Sequence, residues 1–179
     1  MIGRPVPARF AALLALLLAA CSPPSEASDV AQRPDGPVLD EADIFRAEQE
    51  AALERDLTDY FNETGVALVV VTDSSLDGET IEKVAFDTFN EWGIAGRGLL
   101  VLVAPTERQI RIEVGCGLET VVTDLLASRV IEDTMIPLYR SGDLAVATFA
   151  GVDELKRVAV GPAITDAPHS PLCLESTPS

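Results

Sequence analysis

Two spacings of apolar residues alternate along the middle of this chain. Pro37-Val38-Leu39 is a short apolar lead-in, consistent with an edge strand. From Ile44 to Asn62, Phe45, Leu53, Leu57, Tyr60 and Phe61 fall close to helical spacing, and Gly65 ends that helix. Val66 to Val71 is unbroken and mostly β-branched, as expected of a strand buried on both faces. Ile81, Val84, Ala85, Phe89 and Trp92 recur at three and four and predict a second helix. Leu99 to Ala104 is another buried strand. Pro105-Thr106-Glu107-Arg108 is a hairpin turn into Gln109–Val114, whose alternation suits a strand with one solvated face. Leu118 to Ile136 reads as helix in one or two pieces, and Asp143 to Val160 as a last helix. The order β-α-β-α-β-β-α-α predicts an α/β fold, a three-layer α/β/α sandwich around a mixed, mostly parallel sheet.

The flanks change the picture. Arg4 and Arg9 precede an apolar stretch from Phe10 to Ala20, and Leu18-Ala19-Ala20-Cys21 resembles the bacterial lipobox. Residues 1–20 are therefore expected to be a lipoprotein signal peptide, with Cys21 the lipidated mature N-terminus. Ser22 after that Cys resembles lipoproteins sent to the outer membrane, facing the periplasm. The chain is then expected to meet the membrane through its lipidated N-terminus, with no spanning helix required. The Pro- and Ser-rich residues 21–36 read as a flexible tether, residues 37–160 as the domain, and the Pro-containing residues 161–179 as a tail.

Composition narrows the chemistry. The chain has 179 residues and a net charge of −16. Removing residues 1–20 takes Arg4 and Arg9 away, leaving 11 bases against 29 acids and a net −18. Such a surface repels phosphate backbones, which argues against nucleic acid as a partner. One His and three Cys exclude a zinc framework of the four-cysteine or the two-cysteine, two-histidine kind, and no CxxC pair exists. His169, the only His, lies in the tail, so histidine acid–base or triad chemistry is not expected. No serine elbow or glycine-rich phosphate cradle is present. Cys116 and Cys173 are left after lipidation of Cys21 and are candidates for a disulfide in an oxidising compartment, with two free thiols as the alternative. Whatever chemistry the domain performs falls to carboxylates.

An ordered series of segments then resembles the TPM domain family. Val38-Leu39-Asp40, Gly65 with Val69–Val71, Phe89-Asn90-Glu91-Trp92-Gly93-Ile94, Gly98 to Ala104, Arg111-Ile112-Glu113-Val114-Gly115-Cys116-Gly117-Leu118-Glu119 and Thr123-Asp124 follow the family pattern in order. Ala95 stands where the family has Gly, the loop from Trp92 to Gly98 is short, and Cys116 replaces an aromatic. The resemblance implies an α/β/α fold with a carboxylate-lined depression and divalent-cation binding. It also implies either a role as an assembly or maintenance factor for envelope complexes or, alternatively, a metal-dependent acid phosphatase acting on phosphate monoesters.

Hard cations take several oxygen ligands from different loops, and ligands of open α/β sheets sit beyond the strand ends. Asp40, Glu119 and Asp124 are accordingly the first candidate ligands for calcium or magnesium, with Asp73 and Asp87 secondary. Gly115 and Gly117 are expected to let backbone carbonyls approach the ion. Each acid has a plainer reading: Asp40 as a helix cap, Glu119 as a dipole-favoured residue, Asp124 as a solvated helix position. The six acids of the first helix, Glu48, Glu50, Glu54, Asp56, Asp59 and Glu63, read as its solvated face.

Overall fold

The computed structural model describes residues 35–159. Cys21, Cys173, the signal peptide, most of the tether and the tail lie outside those residues. The elements run β1 (Val38–Asp40), α1 (Ala47–Thr64), β2 (Ala67–Thr72), α2 (Ile81–Glu91), β3 (Gly98–Ala104) and β4 (Gln109–Val114). Then follow α3 (Asp124–Arg129), a π-helical turn (Val130–Met135), α4 (Ile136–Arg140) and α5 (Leu144–Val158). The sheet has the order β1-β2-β3-β4, with β1, β2 and β3 parallel and β4 antiparallel to β3. The expected three-layer sandwich with a mixed, mostly parallel sheet is what forms.

Alternation along β2 and β3 divides the core in two. Leu68, Val70, Leu99, Val101 and Val103 face α1, α5 and the π turn, meeting Leu53, Leu57, Leu155 and Met135. Val69, Val71, Leu100, Leu102 and Ala104 face α2, meeting Ile81, Ala85 and Phe89 together with Trp92 and Ile94. This is why those two strands read as continuously apolar: both faces are covered. Burying each such side chain is worth about 1.5–3 kcal/mol, so the sheet is the centre of stability.

Three boundaries differ from the expectation. Helix α1 starts at Ala47 rather than Ile44, because residues 44 and 45 are held in a loop by Asp40. Gly65 ends it in the left-handed conformation, φ 69°, as a C-cap. Leu118 to Val122 are not helical. They form tight turns in which the Val121 and Val122 N–H groups donate to the Leu118 carbonyl. The helix begins at Asp124, where the Thr123 hydroxyl accepts from the Leu126 N–H. The third difference is the π turn, in which the Ile136 N–H reaches back to the Ile131 carbonyl. Pro137 follows at once in α4. It has no N–H to offer the preceding turn, and its ring crowds that turn, so the helix widens there.

Candidate functional site

The sheet has two ends, and they differ in chemistry. At the carboxyl end of the parallel strands, the β1–α1 loop, the segment after β2 and the β3–β4 hairpin come together beside the start of α5. They enclose a depression of about 390 Å³ lined by Asp43, Ser74, Thr106 and Asp143 among others. The Asp73 N–H donates to the Val103 carbonyl, which carries the chain after β2 alongside the hairpin. Three non-glycine residues take left-handed backbone here: Asp43 (φ 51°), Asp77 (φ 49°) and Arg108 (φ 58°). Each stands in a loop following a parallel strand. Asp visits this region more readily than most residues, Arg less so.

Two carboxylates meet in this corner through one serine. Asp73 Oδ1 accepts the Ser75 N–H at 3.1 Å. Glu107 Oε1 accepts the Ser75 hydroxyl at 3.3 Å and the Leu76 N–H at 3.0 Å. Glu107 Oε2 is buried and has no hydrogen-bond partner. Burial, together with the negative charges of Asp77 and Glu107, holds the Asp73 carboxyl above its ordinary 3.8, against the pull of the Ser75 N–H. Buried anionic oxygen without a donor is costly, and a cation is the partner that would relieve it.

The candidate ligands read from the chain do not converge. Asp40 is at the carboxyl end, where Oδ1 accepts the Ile44 N–H at 3.1 Å and Oδ2 the Phe45 N–H at 2.8 Å. The Thr72 hydroxyl also donates to Asp40 Oδ1. Asp40 therefore ties the β1–α1 loop to β2 and does not cap the helix. Glu119 and Asp124 are exposed at the opposite end, where β4 finishes beside the start of β3. Glu119 lies in the turn before α3 rather than in the first turn of a helix. Asp87 lies on α2 and pairs with Lys83 at 3.0 Å. Asp73 alone sits in the carboxylate corner. β3 spans seven residues, roughly 20 Å, so Asp40 and Glu119 cannot share one ion.

The glycines of that opposite end also serve another purpose than expected. Gly115 N–H donates to the Gly98 carbonyl, Cys116 N–H to Ala95 and Gly117 N–H to Gly96, at 2.8–3.0 Å. A Cβ on Gly115 would lie 2.9 Å from the Ala95 carbonyl oxygen, and one on Gly117 would lie 2.8 Å from that of Gly96. The glycines let two backbone segments clasp each other. They do not open a cradle for a ligand. Trp92 is a core residue, 3% exposed.

Glu107 was legible as a turn residue only. Its neighbourhood with Asp73 follows from β2 and β3 being adjacent and parallel, which places their ends side by side. Among the described residues no three His, Cys, Asp or Glu side chains form a ready metal-ligand group, and no helix is long and apolar enough to cross a membrane.

The TPM domain matches residues 38–158. The N-terminal domain of a Porphyromonas gingivalis protein (P.gingivalis), solved by NMR, is 30% identical with a TM-score of 0.66, covering 74% of this chain and 87% of that one. The N-terminal domain of cg2496 protein from Corynebacterium glutamicum shares the fold at 19% identity and a TM-score of 0.58, covering 80% and 90%. BA42 protein from Bizionia argentinensis does so at 17% identity and a TM-score of 0.56, covering 75% and 91%. No curated protein matches the chain.

Proposed function

Given that the chain belongs to the TPM domain family, we propose that it is a lipid-anchored envelope protein whose domain binds a divalent cation and works as an interaction or maintenance module. The observation that carries the cation is the buried, unpartnered Glu107 Oε2 beside Asp73. Two carboxylates suit an ion that keeps several of its waters, as magnesium does; calcium would need further backbone or side-chain oxygens. Asp73 and Glu107 would hold the ion, with Ser75 orienting both. The ion would supply positive charge between two carboxylates that no described basic side chain hydrogen-bonds or pairs with.

Calorimetric titration of the protein with magnesium and with calcium tests this. Saturable binding is expected, weakened at least tenfold by Glu107→Gln with the fold retained. No binding by the wild-type protein overturns it. Anchoring rests on the lipobox-like Leu18-Ala19-Ala20-Cys21. Membrane-associated label from a radioactive fatty acid is expected, and Cys21→Ser should abolish it. The reading includes a Cys116–Cys173 bridge, checked by non-reducing peptide mapping; alkylation of both thiols excludes it.

A second reading, metal-dependent phosphate-ester hydrolysis, is favoured by one observation. Arg108 directly follows Glu107, and with Arg140 it lines a hollow around Tyr139. The cation would neutralise phosphoryl oxygens there. Phosphatase activity toward a phosphate monoester, lost with EDTA and in Glu107→Gln, would establish it. A domain that binds the ion and releases no phosphate supports the first reading.

A further inference from the structure

Among the described residues, the edge of the sheet opposite β4 is only half covered. β1 has three residues and pairs with Val70, Val71 and Thr72 of β2. Ala67, Leu68 and Val69 pair with β3 on one side, but no described strand pairs with them on the other. The Val70 N–H donates to the Pro37 carbonyl, which sets the direction of the ladder. By the alternation of a strand, the Leu68 N–H and C=O point to the same side, past the end of β1. The chain bends at residues 35–37, and Gly36 lies against Glu54 of α1, where an added Cβ would be 3.1 Å from the Glu54 carboxylate. Gly36 thus packs against the helix, while Asp35, Gly36 and Pro37 form one wall of the groove beside Ala67–Val69 without pairing to them as a strand.

A groove of about 230 Å³ runs along this edge, with Leu57, Phe61, Val69, Trp92 and Ile94 among its lining. Phe61 is 51% exposed and adds an apolar ring to the open side of this groove. The adjoining hollow carries Asp35, Glu54 and Asp59 against the single base Arg55. The surface therefore combines three things: strand polarity that no described strand pairs, apolar pockets and an acidic rim.

We propose that this edge is a docking site for an extended segment of a partner protein that alternates apolar with Lys or Arg residues and adds as a strand beside Ala67–Val69. Backbone bonds to Leu68 supply the register, the groove takes alternate apolar side chains, and Asp35, Glu54 and Asp59 attract the basic ones. The inference rests on the reading of the domain as an interaction module and names its surface and the chemistry of its partner.

The test uses the full chain and a synthetic probe, Lys-Val-Lys-Val-Lys-Val-Lys, with its Glu-for-Lys counterpart as control. The lysine peptide is expected to slow amide exchange at Leu68 at least tenfold and to shift the fluorescence of Trp92, the one tryptophan of the chain. Raising the salt should weaken binding. Thr58→Tyr, at an exposed α1 position lining the groove, should weaken it at least tenfold with the circular dichroism unchanged. No binding, or equal binding of the glutamate peptide, overturns the site. So does a Leu68 amide protected in the free chain and released when residues 22–34 are deleted, because the chain's own segment would then hold the edge. Photo-crosslinkers placed in cells at Phe61 and Phe86 separate this site from the broader reading. Adducts from Phe86 alone overturn the site and spare the interaction module, whereas adducts from neither overturn both.

Discussion

The Tyr60 hydroxyl donates to the Ala159 carbonyl at 2.7 Å, joining α1 to the residue after α5 across 99 positions of sequence. Lys156, one turn before Ala159, places its ammonium 5.8 Å from the centre of the same ring. The end of α5 is thus fastened to α1 by one aromatic side chain. Tyr60→Phe leaves a buried carbonyl without its donor. The expected loss is about 1–3 kcal/mol of stability, read as a lower urea midpoint with an unchanged slope.

Asp40→Ala should cost a similar amount, about 1–3 kcal/mol. It removes the acceptor for the Ile44 and Phe45 N–H groups and for the Thr72 hydroxyl. Asp40→Asn keeps one acceptor oxygen and should lie between. Magnesium affinity is expected to be unchanged in Asp40→Asn, because its carboxylate is occupied in holding the loop. Urea unfolding and calorimetry of the same preparations check both parts.

Gly98→Ala should be among the most damaging single changes in the domain. The new Cβ would lie 2.3 Å from the Ile94 carbonyl oxygen and 2.7 Å from the Ile94 Cβ. Backbone must move, and with it the segment that accepts the Gly115, Cys116 and Gly117 N–H groups. A loss above about 3 kcal/mol is expected. Gly96→Ala is the control, since nothing lies within 4 Å of a Cβ there, and it should be close to neutral.

Asp73 makes a prediction about pH. Its carboxyl is held above the ordinary 3.8, chiefly by burial and further by Asp77 and Glu107. The folded state therefore holds this proton more tightly than the unfolded chain does. Stability from this group is present below 3.8 and is lost as pH rises through the raised folded value. Asp73→Asn should remove that part of the slope and raise stability at neutral pH without divalent cation. Added magnesium should offset the wild-type penalty and not affect the variant. Urea midpoints measured across acid to neutral pH, with and without magnesium, check the sign.

Much of the fold was legible because it depends on local pattern. The double-faced burial of Val69–Val71 and Leu99–Ala104 identified the central strands, and the alternation of Gln109–Val114 identified the half-solvated one. The site was far less legible. Asp40 closes one strand and Glu119 and Asp124 come after another, and position along the chain does not say at which end of the sheet a strand finishes. β4 runs against β3, so Glu119 and Asp124 emerge opposite Asp40 and Asp73. Glu107 went unnoticed because nothing in a hairpin turn announces that its carboxylate will sit against the loop of another strand.

By itself, then, the sequence determined the periodic elements, the layered class of fold and the acidic character of the surface, because each depends on residues close together in the chain. Tertiary structure decided which carboxylates meet, that the glycines of Gly115-Cys116-Gly117 clasp a neighbouring loop, and that among the described residues Ala67–Val69 pair with a strand on one side alone. Those outcomes depend on strand order and direction, which bring residues more than thirty positions apart into hydrogen-bond range.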